Sequence, residues 1–198
     1  LPQVEALMEE LRGHGVPVVF HNGNAASDDV RAEALDALDA AMAEHGGKVG
    51  VLLHSLAFGT LRPFIADKAI GRRHLDMTLD VMANSLVYWT QDLVARDAFD
   101  RPAKIYAMTS SGSIAVWPSY GAVSAAKCAL ESHIRQLALE LAPRGITANA
   151  IMAGVTRTPA LEKIPGAAEI AETALARNPS GRLTTPEDVA QALMALSG

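Results

Sequence analysis

The sequence predicts an α/β fold: a doubly wound parallel sheet of Rossmann-like type, in three αβα layers. Three observations predict it. Short apolar runs of β-type residues alternate with longer stretches of helical periodicity. Those runs are continuously apolar, as strands covered on both faces must be. No repeat, low-complexity tract or linker breaks the alternation, so the 198 residues read as a single domain.

The elements follow in order. The chain opens Leu1-Pro2, and proline is tolerated in a first helical turn. Val4, Leu7, Met8 and Leu11 come next at helical spacing. Residues 16–20 predict a short strand. Ser27 predicts the cap of a helix over 28–45, with Leu35, Leu38 and Met42 on one face. A second strand is predicted over 48–53, a long helix over 77–96, a third strand over 103–108 and a second long helix over 119–141. Pro143-Arg144-Gly145 signals a turn into a fourth strand over 146–152. Residues 159–177 predict a helical stretch of variable order. Thr185-Pro186-Glu187-Asp188 is a helix start, with Thr185 as cap, Pro186 in the first position and acids in the first turn. An open sheet that begins on a helix and stops at Leu196-Ser197-Gly198 is expected to be cut at both ends, lacking a first βαβ half and a final edge strand.

Composition narrows the function. The chain is 49% hydrophobic and 20% charged, enough for a sizeable core. A net charge of −5 offers no basic footprint, so no nucleic-acid partner is expected. No apolar run reaches the roughly 18 residues of a membrane span, and no signal peptide opens the chain, so no membrane association is expected. The one cysteine, Cys128, excludes an intrachain disulfide and fits a reducing compartment; the expected location is cytoplasmic. The six histidines are scattered without ligand spacing, so no metal site is expected.

The chemistry-bearing pattern is Tyr120 and Lys127 on the helix over 119–141. Seven residues is about two helical turns, which puts both side chains on one face roughly 10 Å apart along the axis. A phenol that donates a proton beside an ammonium suits carbonyl or enolate chemistry. Taken alone, the pair reads more simply as a helix-start tyrosine and a surface lysine. Upstream runs Ile105-Tyr106-Ala107-Met108-Thr109-Ser110-Ser111-Gly112, a strand leading into a Ser/Gly turn.

With these neighbours the chain resembles the short-chain dehydrogenase/reductase family, in its enoyl-acyl-carrier-protein reductase branch, over nearly its whole length. Most members of that family carry tyrosine four residues before lysine, where this chain has Val123. The wider spacing of Tyr120 and Lys127 looks like the enoyl reductases. So do His54-Ser55-Leu56-Ala57-Phe58, Ala153-Gly154-Val155-Thr156-Arg157-Thr158 and Asn178-Pro179-Ser180-Gly181-Arg182. With Ser110-Ser111-Gly112-Ser113-Ile114, the pattern is nearest to the subgroup sometimes called the third type. Three departures stand out. The Gly-rich phosphate loop is absent from the sequence. Ser110 occupies the place of a second tyrosine in many enoyl reductases, and also the catalytic serine's place relative to Val123 in ketoreductases. The ketoreductase helix asparagine maps to Met82, with Asn84 two residues off.

The resemblance implies NADPH- or NADH-dependent reduction of a trans-2-enoyl thioester, carried by acyl carrier protein or coenzyme A, in fatty acid synthesis. It implies that Tyr120 stabilises the enolate oxygen and that Lys127 holds the nicotinamide ribose. Ser110 either donates to the substrate carbonyl or only ends the strand, and Ser111 is the alternative if the register slips. Ser55, Leu56 and Ala57 would line the cofactor through their backbone, with Gly154 and Thr156, and Thr158 would reach a pyrophosphate oxygen. Asn22 would meet the adenine, or Asn24 in a shifted register; a plain turn asparagine is the other reading of each. Met152 and Trp117 are pocket-wall candidates, Cys128 reads as helix packing, and His54 as a structural histidine. Pairing through the helices over 77–96 and 119–141 is implied, giving a homo-oligomer, dimer or tetramer. The alternatives kept are a 3-oxoacyl or carbonyl reductase of the same family and a non-catalytic scaffold.

Overall fold

A computed structural model describes residues 2–198, with side chains from Val4 onward, so Leu1 of the opening dipeptide lies outside the described residues. Two compact units divide at Gly46 and Gly47.

The N-terminal unit holds helices α1 (Pro2–Gly13) and α2 (Asp28–His45). Helix α2 has the bounds its sequence predicts. Ser27 takes the extended cap conformation, yet its side chain makes no cap hydrogen bond. Arg31 is instead tied to the Ala26 carbonyl at 3.0 Å and the Asp28 carboxylate at 2.8 Å. The strand expected over residues 16–20 does not form. Its Val16, Val19 and Phe20 are exposed. A β-type run becomes a strand only when its backbone groups ladder with a neighbour, and these residues pair with none among the described residues.

The second unit is built on a parallel three-stranded sheet in the order β1 (Val49–His54), β2 (Phe99–Met108), β3 (Ile146–Ile151). Leu52, Ile105 and Ala148 stand in register across it, as do His54, Ala107 and Ala150. Alternate residues of β2 divide between the faces. Ala103, Ile105 and Ala107 are buried against α4 (Ser85–Ala95) and α5 (Gly121–Leu141), whose Leu86, Leu93, Ala126, Leu130 and Ile134 complete the core. Lys104 and Tyr106 point the other way. Both donate to the Leu196 carbonyl, at 2.6 and 2.8 Å, which holds the end of α8 (Pro186–Ser197) on that face. The flanked parallel sheet is the Rossmann-like arrangement the sequence predicts.

The helix expected over 77–96 begins earlier, as α3 (Arg72–Leu79), and passes through a π-helical turn, Asp80–Asn84, into α4. The expected helical stretch over 159–177 splits into α6 (Pro159–Glu162) and α7 (Ala167–Arg177). Gly145 closes the turn before β3 with φ of 73°, a left-handed conformation that favours glycine. Helix α8 starts with the predicted cap: Thr185 Oγ accepts from the Asp188 amide, and Asp188 accepts from the Thr185 amide at 2.9 Å. Among the described residues no helix is long and apolar enough to cross a membrane, and no cluster of His, Cys, Asp and Glu could hold a metal.

Candidate active site

Open α/β sheets present ligand sites beyond the carboxyl ends of their strands. Lys127 lies there, 5% exposed, on the face of α5 turned toward the sheet. Its Nζ donates to the Met108 carbonyl at the end of β2, at 2.7 Å, and to the Leu56 carbonyl just past β1, at 3.1 Å. The reading of Lys127 as a surface lysine therefore fails. The ammonium spans two adjacent strand ends, and one of its three N–H donors is left for a ligand. Burial pushes its pKa down from 10.5 to about 8.

Tyr120 is the cap residue immediately before α5. Ser119 precedes it with φ of 61°, an uncommon backbone for serine that turns the chain into the helix. The Tyr120 ring packs on Met82, Val123 and Ala126, and its hydroxyl stands 3.4 Å from Ser110 Oγ. Ser110, rather than Ser111, is thus the serine that meets the phenol. Ser110 Oγ accepts the Gly112 amide at 3.1 Å, which leaves its own proton free to donate to the phenol oxygen. The phenol proton can then point outward. Val123, the position where a narrower spacing would need tyrosine, is buried in the core at 5% exposure.

Gly112 is a site residue the sequence reading passed over. A Cβ there would lie 2.3 Å from Tyr120 Cε1 and 2.8 Å from Cδ1, so the bare backbone is the wall against which the ring rests. Ser124, one turn into α5, donates a short hydrogen bond to the Gly112 carbonyl. Gly112→Ala is expected to displace the ring, destabilise the fold by about 1–3 kcal/mol and lower turnover at least about tenfold; thermal melting and steady-state rates check it.

His54 ends β1 and is buried. Ser85 Oγ donates to the Val81 carbonyl in the π-turn, so it accepts from His54 Nε2 at 2.9 Å. The ring is held neutral: burial first, and the Lys127 charge second, push its pKa down to about 4. This is the structural histidine the sequence predicts. Met82 lies in the core, and Asn84 Oδ1 bonds His133 Nε2 at 3.1 Å.

The segment after β3 is stapled to the approach to α8. Thr156 and Thr184 form a parallel bridge, and the Thr184 amide donates to the Val155 carbonyl at 3.2 Å. Gly154 is required there, because a Cβ would lie 2.1 Å from Thr184 Oγ1. Thr156 Oγ1 donates to the Gly154 carbonyl at 3.1 Å, and Thr158 Oγ1 accepts the Leu161 amide at 3.1 Å as the cap of α6. Ser55 and Ala57 are exposed on either side of Leu56. Trp117 Nε1 donates to the Pro165 carbonyl at 3.0 Å, tying the turn before α5 to the α6–α7 connection, while Met152 is exposed. Cys128 is exposed rather than packed inside, and its thiol donates to the Ser113 carbonyl at 3.1 Å. Asn22 and Asn24 belong to the N-terminal unit. Asn22 is exposed, and Asn24 Oδ1 accepts the Ala26 amide at 3.0 Å, the plain turn role.

Known proteins share this fold. A family model described as enoyl-(acyl carrier protein) reductase matches residues 3–198. The chain is 29% identical over 192 residues to the NADH enoyl-[acyl-carrier-protein] reductase FabI of Aquifex aeolicus, covering 95% of this chain and 68% of that one. It is 32% identical to NADH enoyl-[acyl-carrier-protein] reductase 1 of Rhizobium meliloti over 79% of this chain, spanning 54% of the relative's length. It is 27% identical to the 1-cyclohexenylcarbonyl-CoA reductase of Streptomyces collinus over 98% of this chain and 65% of that one. The crystal structure of the Aquifex reductase superposes with a TM-score of 0.82 at 28% identity, over 100% of this chain and 76% of its own.

Proposed function

The chain belongs to the enoyl-(acyl carrier protein) reductase family, and on that premise we propose that it reduces a trans-2-enoyl thioester with NADH or NADPH, as a step of fatty acid synthesis. The observation that carries the reading is that Val123, where the narrower spacing would need tyrosine, is buried in the core, while Tyr120 stands seven residues before Lys127. Only the wider tyrosine–lysine spacing can then supply the acid.

The donor set fits a nicotinamide nucleotide. Lys127 retains one N–H beyond the Met108 and Leu56 carbonyls, enough to hold a ribose hydroxyl. Gly154, kept bare by Thr184, presents backbone where a side chain would intrude. Thr156 and Thr158 follow it, with Thr158 assigned to a pyrophosphate oxygen. Ser55, Leu56 and Ala57 would line the nucleotide through their backbone.

A nicotinamide held there would supply a hydride to the β-carbon of the enoyl group. The electron pair of the double bond then moves onto the thioester oxygen as an enolate. Tyr120 holds that oxygen by donating its phenol proton, and Ser110 steadies the phenol by donating to its oxygen. A proton derived from solvent then adds at the α-carbon as the enolate carbonyl re-forms, giving the saturated thioester. Lys127 keeps a positive charge beside the site and fixes the ribose.

The chain is expected to oxidise NADH or NADPH with crotonyl thioester and to leave acetoacetyl thioester unreduced, read by the loss of nicotinamide absorbance. Turnover of the keto thioester alone would establish the second reading, a 3-oxoacyl reductase, which Ser110 beside Tyr120 favours. Acyl carrier protein or coenzyme A carries the thioester, and the Streptomyces relative makes the coenzyme A form worth assaying. A homo-oligomer, dimer or tetramer, paired through α4 and α5 is proposed with it, checked by light scattering. The cytoplasm is the proposed location.

A further inference from the structure

We propose that Glu131 is a positioning residue for the acid, acting through Thr109; this rests on the reading of Tyr120 as that acid. Glu131 lies on the same stripe of α5 as the catalytic pair. Tyr120, Ser124, Lys127, Cys128 and Glu131 fall within about 100° of helical arc. Each fastens one residue of the run from Met108, the last of β2, to Ser113. Lys127 takes the Met108 carbonyl at 2.7 Å, Glu131 Oε1 accepts from Thr109 Oγ1 at 2.6 Å, and Tyr120 meets Ser110 at 3.4 Å. Ser124 takes the Gly112 carbonyl, and Cys128 takes the Ser113 carbonyl at 3.1 Å.

Within this lacing Thr109 is the hinge between strand and turn. Its amide still donates to the Ile151 carbonyl of β3 at 2.9 Å, so its backbone belongs to the sheet. Its side chain belongs to the helix through Glu131. The next residue is Ser110, which supports the phenol. The Glu131–Thr109 bond joins a charged acceptor to a part-buried hydroxyl, the stronger kind of hydrogen bond. It therefore holds Ser110 at a fixed depth against Tyr120, and neither Glu131 nor Thr109 needs to touch substrate.

The test compares Thr109→Val, which keeps shape and loses the hydroxyl, with Thr109→Ser, and Glu131→Ala with Glu131→Gln. Two readouts are taken on the full-length protein: steady-state kinetics with crotonyl thioester, and amide hydrogen exchange of the peptide covering residues 109–115. Thr109→Val and Glu131→Ala are expected to lower kcat at least about tenfold with KM for the nucleotide changed less than about threefold. Exchange of the peptide should rise at least about tenfold in both. Thr109→Ser and Glu131→Gln, which retain the hydroxyl and the acceptor, should restore both readouts to within about threefold of wild type. Wild-type kcat or unchanged exchange in Thr109→Val would overturn the proposal, as would a Thr109→Ser enzyme no better than Thr109→Val. If wild type itself reduces no enoyl thioester while the exchange pattern is as expected, the lacing stands and the proposed reaction is what fails.

Discussion

Tyr120→Phe lowers turnover of the enoyl thioester by about 100-fold or more, the usual contribution of a positioned acid, while the nucleotide dissociation constant moves less than about threefold. The separation follows from what the substitution removes. The phenyl ring still fills the space against Met82, Val123 and Ala126, and still rests on Gly112. The fold is therefore unaffected, and Lys127 keeps both its carbonyl partners. Only the proton aimed at the developing oxyanion is lost. Steady-state kinetics and a fluorescence titration with NADH measure the two effects. A Phe enzyme that turns over at the wild-type rate removes Tyr120 from the reaction.

Lys127→Met strikes the nucleotide instead. Losing a hydrogen bond from a charged donor costs about 1.5–3 kcal/mol, so the dissociation constant for NADH should rise about 10- to 100-fold. The Leu56 and Met108 carbonyls also lose their partner, which opposes the relief of a buried charge. The pH dependence separates these contributions. Lys127 titrates near 8 in the folded chain against 10.5 when exposed. Below pH 8 both states hold the proton, and the folded state bears the full cost of burying it. Between about 8 and 10.5 the unfolded state binds more protons, so stability from this group rises with pH through that window. Nucleotide affinity moves the opposite way, falling as the ammonium loses its charge above about pH 8. Melting temperatures and NADH titrations across pH 7–10 should show both slopes in wild type and neither in Lys127→Met; parallel profiles in the two proteins would contradict the assignment.

The parts of the fold legible in the sequence are those fixed by local chemistry. Helix α2 was readable from its first-turn acids and the helical spacing of Leu35, Leu38 and Met42, and the start of α8 from its Thr185 cap, proline and acids, which act within one turn. Residues 16–20 were misread because the same apolar run serves a paired strand or an extended segment, and only the neighbour decides. The π-turn at Asp80–Asn84 was invisible for a related reason. Its composition is ordinary for a helix; its contacts are tertiary, with Met82 drawn into the core and Ser85, at its end, accepting from His54 of β1. In the site, Tyr120 and Lys127 were legible because helical spacing converts directly into a shared face. The same arithmetic extends to Ser124 and Glu131. Their partners, Gly112 and Thr109, sit in a turn whose path no periodicity predicts, so the stripe could not be read as a lacing until the turn was placed.

The central claim is that the reaction passes through an enolate held at Tyr120, and it is tested most directly by following the reduced nucleotide's hydrogen into the product. With deuterium at the transferable position of the nicotinamide and crotonyl thioester as substrate, NMR of the saturated product should place the label on the β-carbon and a solvent hydrogen on the α-carbon. A label found on a carbinol carbon from an oxo thioester, with no label entering crotonyl thioester, would contradict it.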